Sequence, residues 1–495
     1  MKRRYFLGGA LGVAGAAALD ASAAATASSP APYDLIVIGA GTAGIPAAIF
    51  ASRRGAKVLL VDAADDIGGT LHLANGQVSA AGTHVQVAKG IKDSPRQHYE
   101  DVMALSRGLA DANVVRLTAE QAPATVNWLL DSGLTPLPDH PVTGDSPGRK
   151  AYSVPRYLWG AGEGRDILAV LRRELAPEVA SGRVRLALKT RVEQLISDGS
   201  RVVGVRAAGL TAHGRHVLVT TGGYAMNAEL FRELSGVPAY AAASYPHSQG
   251  DAFGWAREVG AQLRGQSLHR PGTGSVLTSF SYPAKVYVRF ETRPQRRLPW
   301  EIWVNEQGRR FIREDEPLVN NRTSALLSQS NLRYHIIFDQ AILDAAPPGL
   351  PAWDRAKLIQ HFDNHPMFVR ADSLDALAER AGISAAALKE TVSSYNRSVA
   401  LQGDFLGREH LPMAIAKPPY FAICHLGHSA TSSTGLVVDE QLRVTNANGE
   451  PIQGLYAAGE VLGSGATLGD AFAPGMMLTP ALALGRWLGL TLSLG

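Results

Sequence analysis

The chain has 495 residues, of which 46% are apolar and 19% charged, a composition typical of folded proteins rather than disordered chains. Because one hydrophobic core rarely grows beyond about 250–300 residues, this length predicts two or more domains. The formal net charge of +4 argues against nucleic-acid binding as the main activity. The single cysteine, Cys424, excludes an intramolecular disulfide, a CxxC redox pair and an all-cysteine iron–sulfur cluster. Any redox chemistry of this chain therefore depends on a bound cofactor.

Residues 1–27 have the features of a removable export signal. A basic start at residues 2–4 is followed by an apolar stretch rich in Gly and Ala, and then by small residues. Residues 3–7 resemble the twin-arginine motif, which serves proteins exported after folding. Asp20 interrupts the apolar stretch before it reaches the roughly 20 residues of a membrane helix, so no stable membrane span is expected. We predict a twin-arginine signal peptide and a periplasmic location; the alternative is an Ala-rich tail with a chance arginine pair.

Residues 33–62 predict a strand, a glycine-rich turn, a helix and a second strand. The apolar run 35–38 leads into Gly39-Ala40-Gly41-Thr42-Ala43-Gly44, a GxGxxG pattern. In this pattern the first glycine permits a tight turn, the second lets a pyrophosphate approach the backbone, and the third lets the helix pack closely. Asp62 ends the next apolar run, where a carboxylate can accept hydrogen bonds from ribose hydroxyls. These residues predict a dinucleotide site and leave FAD and NAD both open.

Three later segments favour FAD. Residues 67–70 (IGGT) follow Asp62, residues 454–460 (GLYAAGE) precede a glycine-rich loop, and residues 474–478 (PGMML) open a last helix. In this order they resemble the fumarate reductase and succinate dehydrogenase flavoprotein superfamily, which includes the 3-ketosteroid dehydrogenases. The resemblance covers about residues 33–490.

The resemblance implies an α/β fold in which a Rossmann-like FAD-binding domain is split in sequence by an inserted α+β substrate or capping domain. From about residue 245 the sequence changes to irregularly spaced aromatic residues, Pro and His, followed by two helical stretches. The predicted segments are the signal peptide (1–27), the first part of the FAD-binding domain (33–244), the capping domain (245–400) and the second part of the FAD-binding domain (401–495).

The resemblance also implies FAD as the cofactor and assigns its contacts. Succinate dehydrogenases link FAD covalently to a histidine in the segment near Thr70, but His72 lies two residues from that position, so we expect FAD to be bound non-covalently. No metal site is predicted. The predicted FAD-binding residues are Gly39, Gly41, Thr42, Ala43, Gly44, Asp62, Ala63, Gly69, Thr70, Gly76, Val192, Gly222, Gly459, Glu460, Gly475, Met477 and Leu478.

Candidate catalytic residues come from the same resemblance. His269 lies in a stretch similar to one that carries a substrate-binding histidine. Residues 303–311 (WVNEQGRRF) match a family signature, and Arg322 follows it as the candidate for the arginine that supplies a proton opposite the flavin hydride. Arg297 falls where the family has a proton-relay arginine, although Pro294 occupies the place of its glutamate partner.

The C-terminal part departs from the pattern for dicarboxylate substrates. The second substrate arginine of the family falls on Phe472, and its other carboxylate-binding histidine falls near Thr431; only a shifted alignment reaches His425 or His428. A dicarboxylate needs a cationic partner at each end, and a buried charge without a partner is strongly destabilising. Fumarate is therefore not the expected substrate. In the comparison with ketosteroid dehydrogenases, the catalytic tyrosine falls on Ala471.

We predict an exported FAD-dependent oxidoreductase that transfers hydride between the flavin and a C–C bond α,β to a carbonyl, in a mostly apolar substrate that is not a dicarboxylate. Arg322, a tyrosine or a histidine would move the paired proton. Two alternatives stay open: an FAD-dependent alcohol or amine dehydrogenase or oxidase with His269 or His428 as its base, and a non-catalytic flavoprotein electron carrier. The expected partners are a small-molecule substrate and an electron acceptor (a quinone, a cytochrome or O2), and no nucleic acid.

Overall fold

The structure, a computed structural model, describes residues 33–494 except residues 147–148 and 352. The predicted signal peptide, residues 1–27, lies outside the described residues. Among the helices that are described, none is both long enough and apolar enough to cross a membrane.

The segment from Tyr33 to Val219 contains both strands and helices. The strands here are β1 (Tyr33–Ile38), β2 (Val58–Val61), β3 (Val78–Ser79), β4 (Asp145–Ser146), β5 (Arg149–Lys150), β6 (Tyr157–Leu158), β7 (Val184–Ala187), β8 (Val192–Asp198), β9 (Arg201–Ala207) and β10 (Leu210–Val219). The helices are α1 (Gly44–Arg53), α2 (His84–Ala88), α3 (Pro95–Leu105), α4 (Ala112–Asp131) and α5 (Gly164–Ala180).

The rest of the chain begins with helices and short strands and returns at its end to the first sheet. Its elements are α6 (Ala228–Ser235), α7 (Asp251–Glu258), β11 (Leu263–Arg264), β12 (Ser275–Leu277), β13 (Val286–Arg289), β14 (Ile302–Asn305), α8 (Val319–Leu327), β15 (Arg333–Asp339), α9 (Gln340–Ala345), α10 (Arg355–Asn364), β16 (Phe368–Ala371), α11 (Leu374–Ala381), α12 (Ala385–Leu401), β17 (Tyr420–Leu426), β18 (Gly435–Leu436), β19 (Arg443–Thr445), β20 (Pro451–Ala457), α13 (Ser464–Leu468) and α14 (Leu478–Thr491).

A parallel sheet with the strand order β20-β10-β1-β2-β7 forms the centre of the nucleotide-binding half. All of β2 and the last four residues of β1 are buried and apolar, as expected for strands covered on both faces. Four of these strands end at the same edge, where they continue into Gly39, Asp62, Thr220 and Ala458. In open α/β sheets the crevice beyond this carboxyl edge is where ligands bind.

The last helix, α14, lies against α1 beside the glycine-rich turn. A Cβ atom on Gly485 would lie 2.1 Å from the carbonyl oxygen of Ala43, and one on Gly489 would lie 2.5 Å from that of Ala47. Only glycine permits this close approach, and it brings the start of α14 to the same edge of the sheet as the glycine-rich turn.

The inserted domain is built on an antiparallel sheet with the order β14-β15-β17-β16. Its own apolar core includes Trp303, Ile336 and Phe421. Because β17 (Tyr420–Leu426) pairs along its whole length with β15, the domain extends past residue 400. The predicted boundary between 400 and 401 is therefore wrong: the chain returns to the first sheet only after β17.

Buried ion pairs stabilise the inserted domain. The carboxylate of Glu314 accepts from Arg310 at 2.6 and 2.7 Å and from Arg408 at 3.1 Å, and all three side chains are almost completely buried. It also accepts from the backbone N–H of Trp303 at 3.0 Å, which ties the pairs to β14. Removing one partner of such a group leaves a buried charge uncompensated, which costs far more than the loss of an exposed pair.

The variant Glu314→Ala is expected to lower the free energy of unfolding by ~3–5 kcal/mol, because it leaves buried guanidinium groups without their shared carboxylate. Chemical denaturation measures this loss. The control is Glu120→Ala, whose pair with Arg116 is 45% exposed on both sides and contributes about 0.5 kcal/mol. Equal losses in the two variants would contradict the role assigned to Glu314.

Candidate flavin cleft

A cleft with a cavity volume of about 310 Å3, open to solvent, lies at the carboxyl ends of β1, β2, β10 and β20. Every residue predicted to bind FAD lines it except Gly44 and Gly76. These two glycines are required by packing instead: a Cβ on Gly44 would lie 1.9 Å from the carbonyl oxygen of Gly39, and one on Gly76 would lie 2.3 Å from the carbonyl carbon of Glu163. They do not face the cavity, but they allow the close backbone packing behind the residues of the cleft wall.

Asp62 holds together the two turns that follow β1 and β2. Its Oδ2 accepts from the N–H of Ala40 at 2.6 Å, and its Oδ1 accepts from the N–H of Ala64 at 2.7 Å. Each carboxylate oxygen can accept more than one hydrogen bond, so Asp62 retains capacity for a ligand in the cleft. This is the position expected of a ribose-binding carboxylate.

Several polar atoms of the cleft wall have no partner within the protein. The hydroxyls of Thr42, Thr221 and Ser244 are buried, line the cleft and make no hydrogen bond. Buried hydroxyls normally have a partner, so their arrangement indicates a polar ligand. Beside them a Cβ on Gly41 would meet no protein atom within 4 Å, which leaves room for a phosphate against the backbone. The wall therefore fits a dinucleotide.

The far end of the cleft is formed by Glu460 and the start of α14. Glu460 is partly buried, and burial raises the pKa of its carboxyl group, although its Oε1 accepts from the N–H of Ser432 at 3.0 Å. Gly475, Met477 and Leu478 line the same end. Backbone N–H groups at the start of a helix attract negative charge, so this end suits an acceptor that becomes negative on reduction.

Non-covalent binding of FAD stays a prediction, and the position of His72 bears on it. His72 does not line the cleft, and its Nε2 donates to the carbonyl oxygen of Ile67 at 3.0 Å. A ring nitrogen used in this way is not directed at a cofactor. Tyr245, which does line the cleft, stacks against His72 with the ring centroids 6.2 Å apart.

Sequence reasoning missed the cleft residues that lie between the two domains. Ser244, Tyr245, Ser248 and Trp255 line the cleft, but they fall at the predicted start of the capping domain, where no recognisable motif occurs. In this part of the cleft wall, the turn after β10, which contains Thr221, is the one segment that a sequence pattern could have identified. Ser244, Tyr245, Ser248 and Trp255 reach the cleft because α7 packs against the nucleotide-binding half.

None of the four predicted catalytic side chains lines this cleft. His269 and His428 instead lie together in a closely packed region with no room for a water molecule, and the N–H of Gly272 donates to the carbonyl oxygen of His428 at 2.8 Å. Burial lowers the pKa of each histidine to about 4, so both rings are neutral at pH 7. Both ring nitrogens of His269 lack a partner among the described residues.

Arg322 is buried in α8 and has no carboxylate within ion-pair distance among the described residues. Its Nη1 donates to the carbonyl oxygen of Glu316 at 2.5 Å, and its Nε has no partner. Burial lowers the pKa of the guanidinium group from its ordinary value. A buried cation in this state has hydrogen-bonding capacity left for an anion or a carbonyl oxygen.

Arg297 is in a different situation. Its guanidinium group forms a two-pronged ion pair with Glu301, and its Nε donates to the carbonyl oxygen of Pro347 at 2.8 Å. The basic run around it predicts an exposed face, but Arg297 itself is only 8% exposed. With its donors used in this way, Arg297 is a structural residue, and the prediction of a proton relay through it is not supported.

Arg270 connects the segment of Arg322 to the cleft. Its Nη2 donates to Oδ1 of Asn320 at 3.0 Å, and its Nη1 lies 3.6 Å from the carboxylate of Asp470. Two residues further on, Phe472 lines the cleft and is 54% exposed. The aromatic residues on the cleft wall are Tyr245, Trp255 and Phe472, whereas Tyr282, Tyr287, Trp300 and Trp303 lie elsewhere among the described residues.

Comparison with known proteins shows the family to which this chain belongs. The profile of the FAD-binding-domain family matches residues 34–470. The chain is 30% identical to a fumarate reductase (cytochrome) of Shewanella frigidimarina, over 90% of this chain and 75% of that protein. It is 27% identical to a vinyl phenol reductase of Lactiplantibacillus plantarum, over 90% of this chain and 92% of that protein.

A solved structure shows the same fold. The 3-ketosteroid delta1-dehydrogenase from Sterolibacterium denitrificans, in complex with 1,4-androstadiene-3,17-dione, matches 92% of this chain and 98% of its own with a TM-score of 0.69 and 22% identity. The fold and the cleft thus define an FAD-dependent oxidoreductase. The chain belongs to the FAD-binding-domain family that contains the fumarate reductase flavoproteins, which confirms the resemblance, the fold class and FAD as the cofactor.

The variant Gly41→Val tests the FAD site. A side chain at Gly41 meets no protein atom, so the fold is expected to persist, whereas the space for the cofactor phosphates is filled. The purified variant is expected to lose the flavin absorbance while its unfolding transition in the cofactor-free state stays within about 1 kcal/mol of the parent. The control is Gly254→Val, which also meets no protein atom but lies on the exposed side of α7. Normal flavin content in Gly41→Val would refute the assignment.

Proposed function

We propose that this protein is an exported FAD-dependent oxidoreductase that transfers hydride to or from a carbon–carbon bond next to a carbonyl group. Its substrate is a mostly apolar enone, enoate or monocarboxylate rather than a dicarboxylate, and a small electron donor or acceptor completes the cycle. The basic, apolar and small-residue pattern of residues 1–27 supports the export part of this proposal.

One observation carries the substrate class: the described residues on the cleft wall include no lysine or arginine. Among the described residues that line it, the charged ones are Asp62, Asp251 and Glu460, and none is a lysine or an arginine. At the place where the resemblance puts a second substrate arginine stands Phe472, whose exposed ring forms part of the wall. A second carboxylate in this position would be desolvated against an aromatic ring without a partner.

Arg322 is the candidate for the group that recognises the carbonyl or carboxylate end and moves the proton. The support for this role is its burial without a carboxylate partner and the contact of Asn320 with Arg270, which connects its segment to Asp470 beside the cleft. Because Arg322 does not line the cleft, the proposal requires the start of α8 to approach the substrate during the reaction.

The rival alcohol or amine oxidation would need a histidine base. A general base works best when its pKa lies near the working pH. Burial lowers the pKa of both His269 and His428 to about 4, which makes them weak proton acceptors at neutral pH. No observation therefore favours this alternative over reaction at a carbon–carbon bond.

In the mechanism, bound FAD supplies two-electron hydride transfer. Asp62 holds the nucleotide end, and the N–H groups at the start of α14 stabilise negative charge at the other end. Phe472 and the other apolar residues of the wall exclude water from the substrate. Arg322 delivers a proton from its guanidinium nitrogen to the carbon next to the one that receives hydride, and takes it back in the oxidative direction.

A panel of substrates under anaerobic conditions tests the substrate class. The reduced enzyme is expected to be reoxidised by enoates and enones with one polar end, and only weakly by fumarate. Phe472→Arg is expected to raise turnover of fumarate at least about tenfold, because it supplies the missing partner for the second carboxylate, a gain of ~1.4 kcal/mol. Leu401→Arg, which adds the same charge to an exposed helix end, is the control. Preference of the parent enzyme for fumarate would overturn the substrate class.

The variant Arg322→Ala is expected to lower kcat by about 10²- to 10⁴-fold with the best substrate of this panel, since it removes the proton donor. Flavin content should be unchanged because Arg322 does not line the cleft. Steady-state kinetics measure the loss, with exposed Arg309→Ala as the control in the same domain. If Arg322→Ala keeps full turnover while His269→Ala abolishes it, the assigned proton donor is wrong.

A further inference from the structure

A cluster of polar side chains lies on the inner side of the loop that opens α14. Ser79, His98 and Tyr152 are all completely buried. The hydroxyl of Tyr152 donates to the carbonyl oxygen of Pro474 at 2.5 Å, and the N–H of Ser79 donates to Oγ1 of Thr479 at 2.8 Å. The loop between Pro474 and Thr479 is therefore held at both ends by hydrogen bonds on the side that faces away from the cleft.

Between these two contacts the loop is pressed against strand β3. Gly475 has a positive φ of 78°, and a Cβ there would lie 2.6 Å from the backbone nitrogen of Ser79. The opposite side of the same short segment, at Gly475, Met477 and Leu478, forms the end of the cleft. A small displacement of this segment therefore changes directly where its backbone N–H groups lie in the cleft.

The cluster is electrically neutral at physiological pH. Burial lowers the pKa of His98 to about 3 and raises that of Tyr152 above its ordinary value, so the imidazole is neutral and the phenol keeps its proton. The guanidinium of Arg156 lies 4.9 Å from the centre of the Tyr152 ring, and its charge is compensated by Asp93 and Asp101 at 2.8 and 2.6 Å. Tyr152 thus remains a hydrogen-bond donor to Pro474 throughout the working pH range.

We propose that Tyr152 is a positioning residue that sets the reduction potential of the bound flavin by holding the loop 474–478 in place. The inference rests on the proposed function, in which the N–H groups at the start of α14 face the part of the flavin that becomes negative on reduction. Preorganised donors stabilise a charge that develops in a reaction more than the neutral state before it. Loss of the Tyr152 hydroxyl leaves the carbonyl of Pro474 without its donor and loosens those N–H groups, so reduced FAD loses more stabilisation than oxidised FAD.

The test is the midpoint potential of FAD in Tyr152→Phe, measured by anaerobic reduction with dithionite against a reference dye. We expect the ratio of the affinities for reduced and oxidised FAD to fall about tenfold, which for two electrons lowers the potential by ~30 mV. The control is Tyr157→Phe, a buried tyrosine of the same apolar cluster that makes no hydrogen bond to the loop. An unchanged potential in Tyr152→Phe, or equal shifts in the two variants, would overturn the inference.

A second variant keeps the inference testable if Tyr152→Phe does not accumulate as folded protein. Thr479→Val removes the acceptor at the other end of the loop without a change of size, and it is expected to lower the potential in the same direction. A normal potential in Thr479→Val would then count against the inference. The parent protein separates the two proposals, because failure of the parent to bind FAD overturns the proposed function, whereas bound FAD with unaltered potentials in the variants overturns only the role of Tyr152.

Discussion

The carboxyl edge of the parallel sheet is the constraint on which the rest of the structure depends. Parallel strands that end together leave backbone groups of several turns facing one crevice, and these groups need partners. Here the turns after β1 and β2 are fixed to each other by Asp62, which accepts from Ala40 and Ala64. The close contact between α1 and α14 adds the N-terminal end of a second helix. The position of the cofactor cleft is therefore set by the carboxyl ends of the parallel strands. The inserted domain needs only to cover the side of this cleft that is open to solvent.

The inserted domain, unlike the centre of the parallel sheet, is held together by buried ion pairs. Arg297, Arg310 and Arg408 are buried there, and each forms an ion pair with a buried carboxylate. Such pairs add little net stability but make each partner indispensable to the other, so they fix the domain in one arrangement. Arg322 is buried in the same domain without a carboxylate. The role proposed for Arg322 would give this guanidinium group its partner in the substrate.

The sequence predicted the nucleotide-binding half well because its determinants are local. The residues from Tyr33 to Asp62 form a continuous strand–turn–helix–strand unit, and their spacing alone brings the turn and the carboxylate together. The inserted domain depends on contacts between distant residues, such as the pairing of Tyr334 with His425, which leave no local pattern. For that reason the predicted end of the domain lies before β17, the strand that completes its sheet. The partner of Arg297, Glu301, is only four residues away along the chain.

The segment around Asp470 and Phe472 joins the nucleotide-binding half to the inserted domain and also forms part of the cleft wall. Asp470 forms ion pairs with Arg107 of the nucleotide-binding half and Arg270 of the inserted domain, and the chain then turns so that Phe472 faces the cleft. Burying an apolar ring against an apolar ligand is favourable by about 25 cal/mol per Å2 of apolar surface removed from water. Because its neighbours Ala471 and Ala473 are buried, the exposure is confined to the ring that lines the cleft. A substrate with an apolar body would cover this ring, whereas a second carboxylate would gain nothing from it.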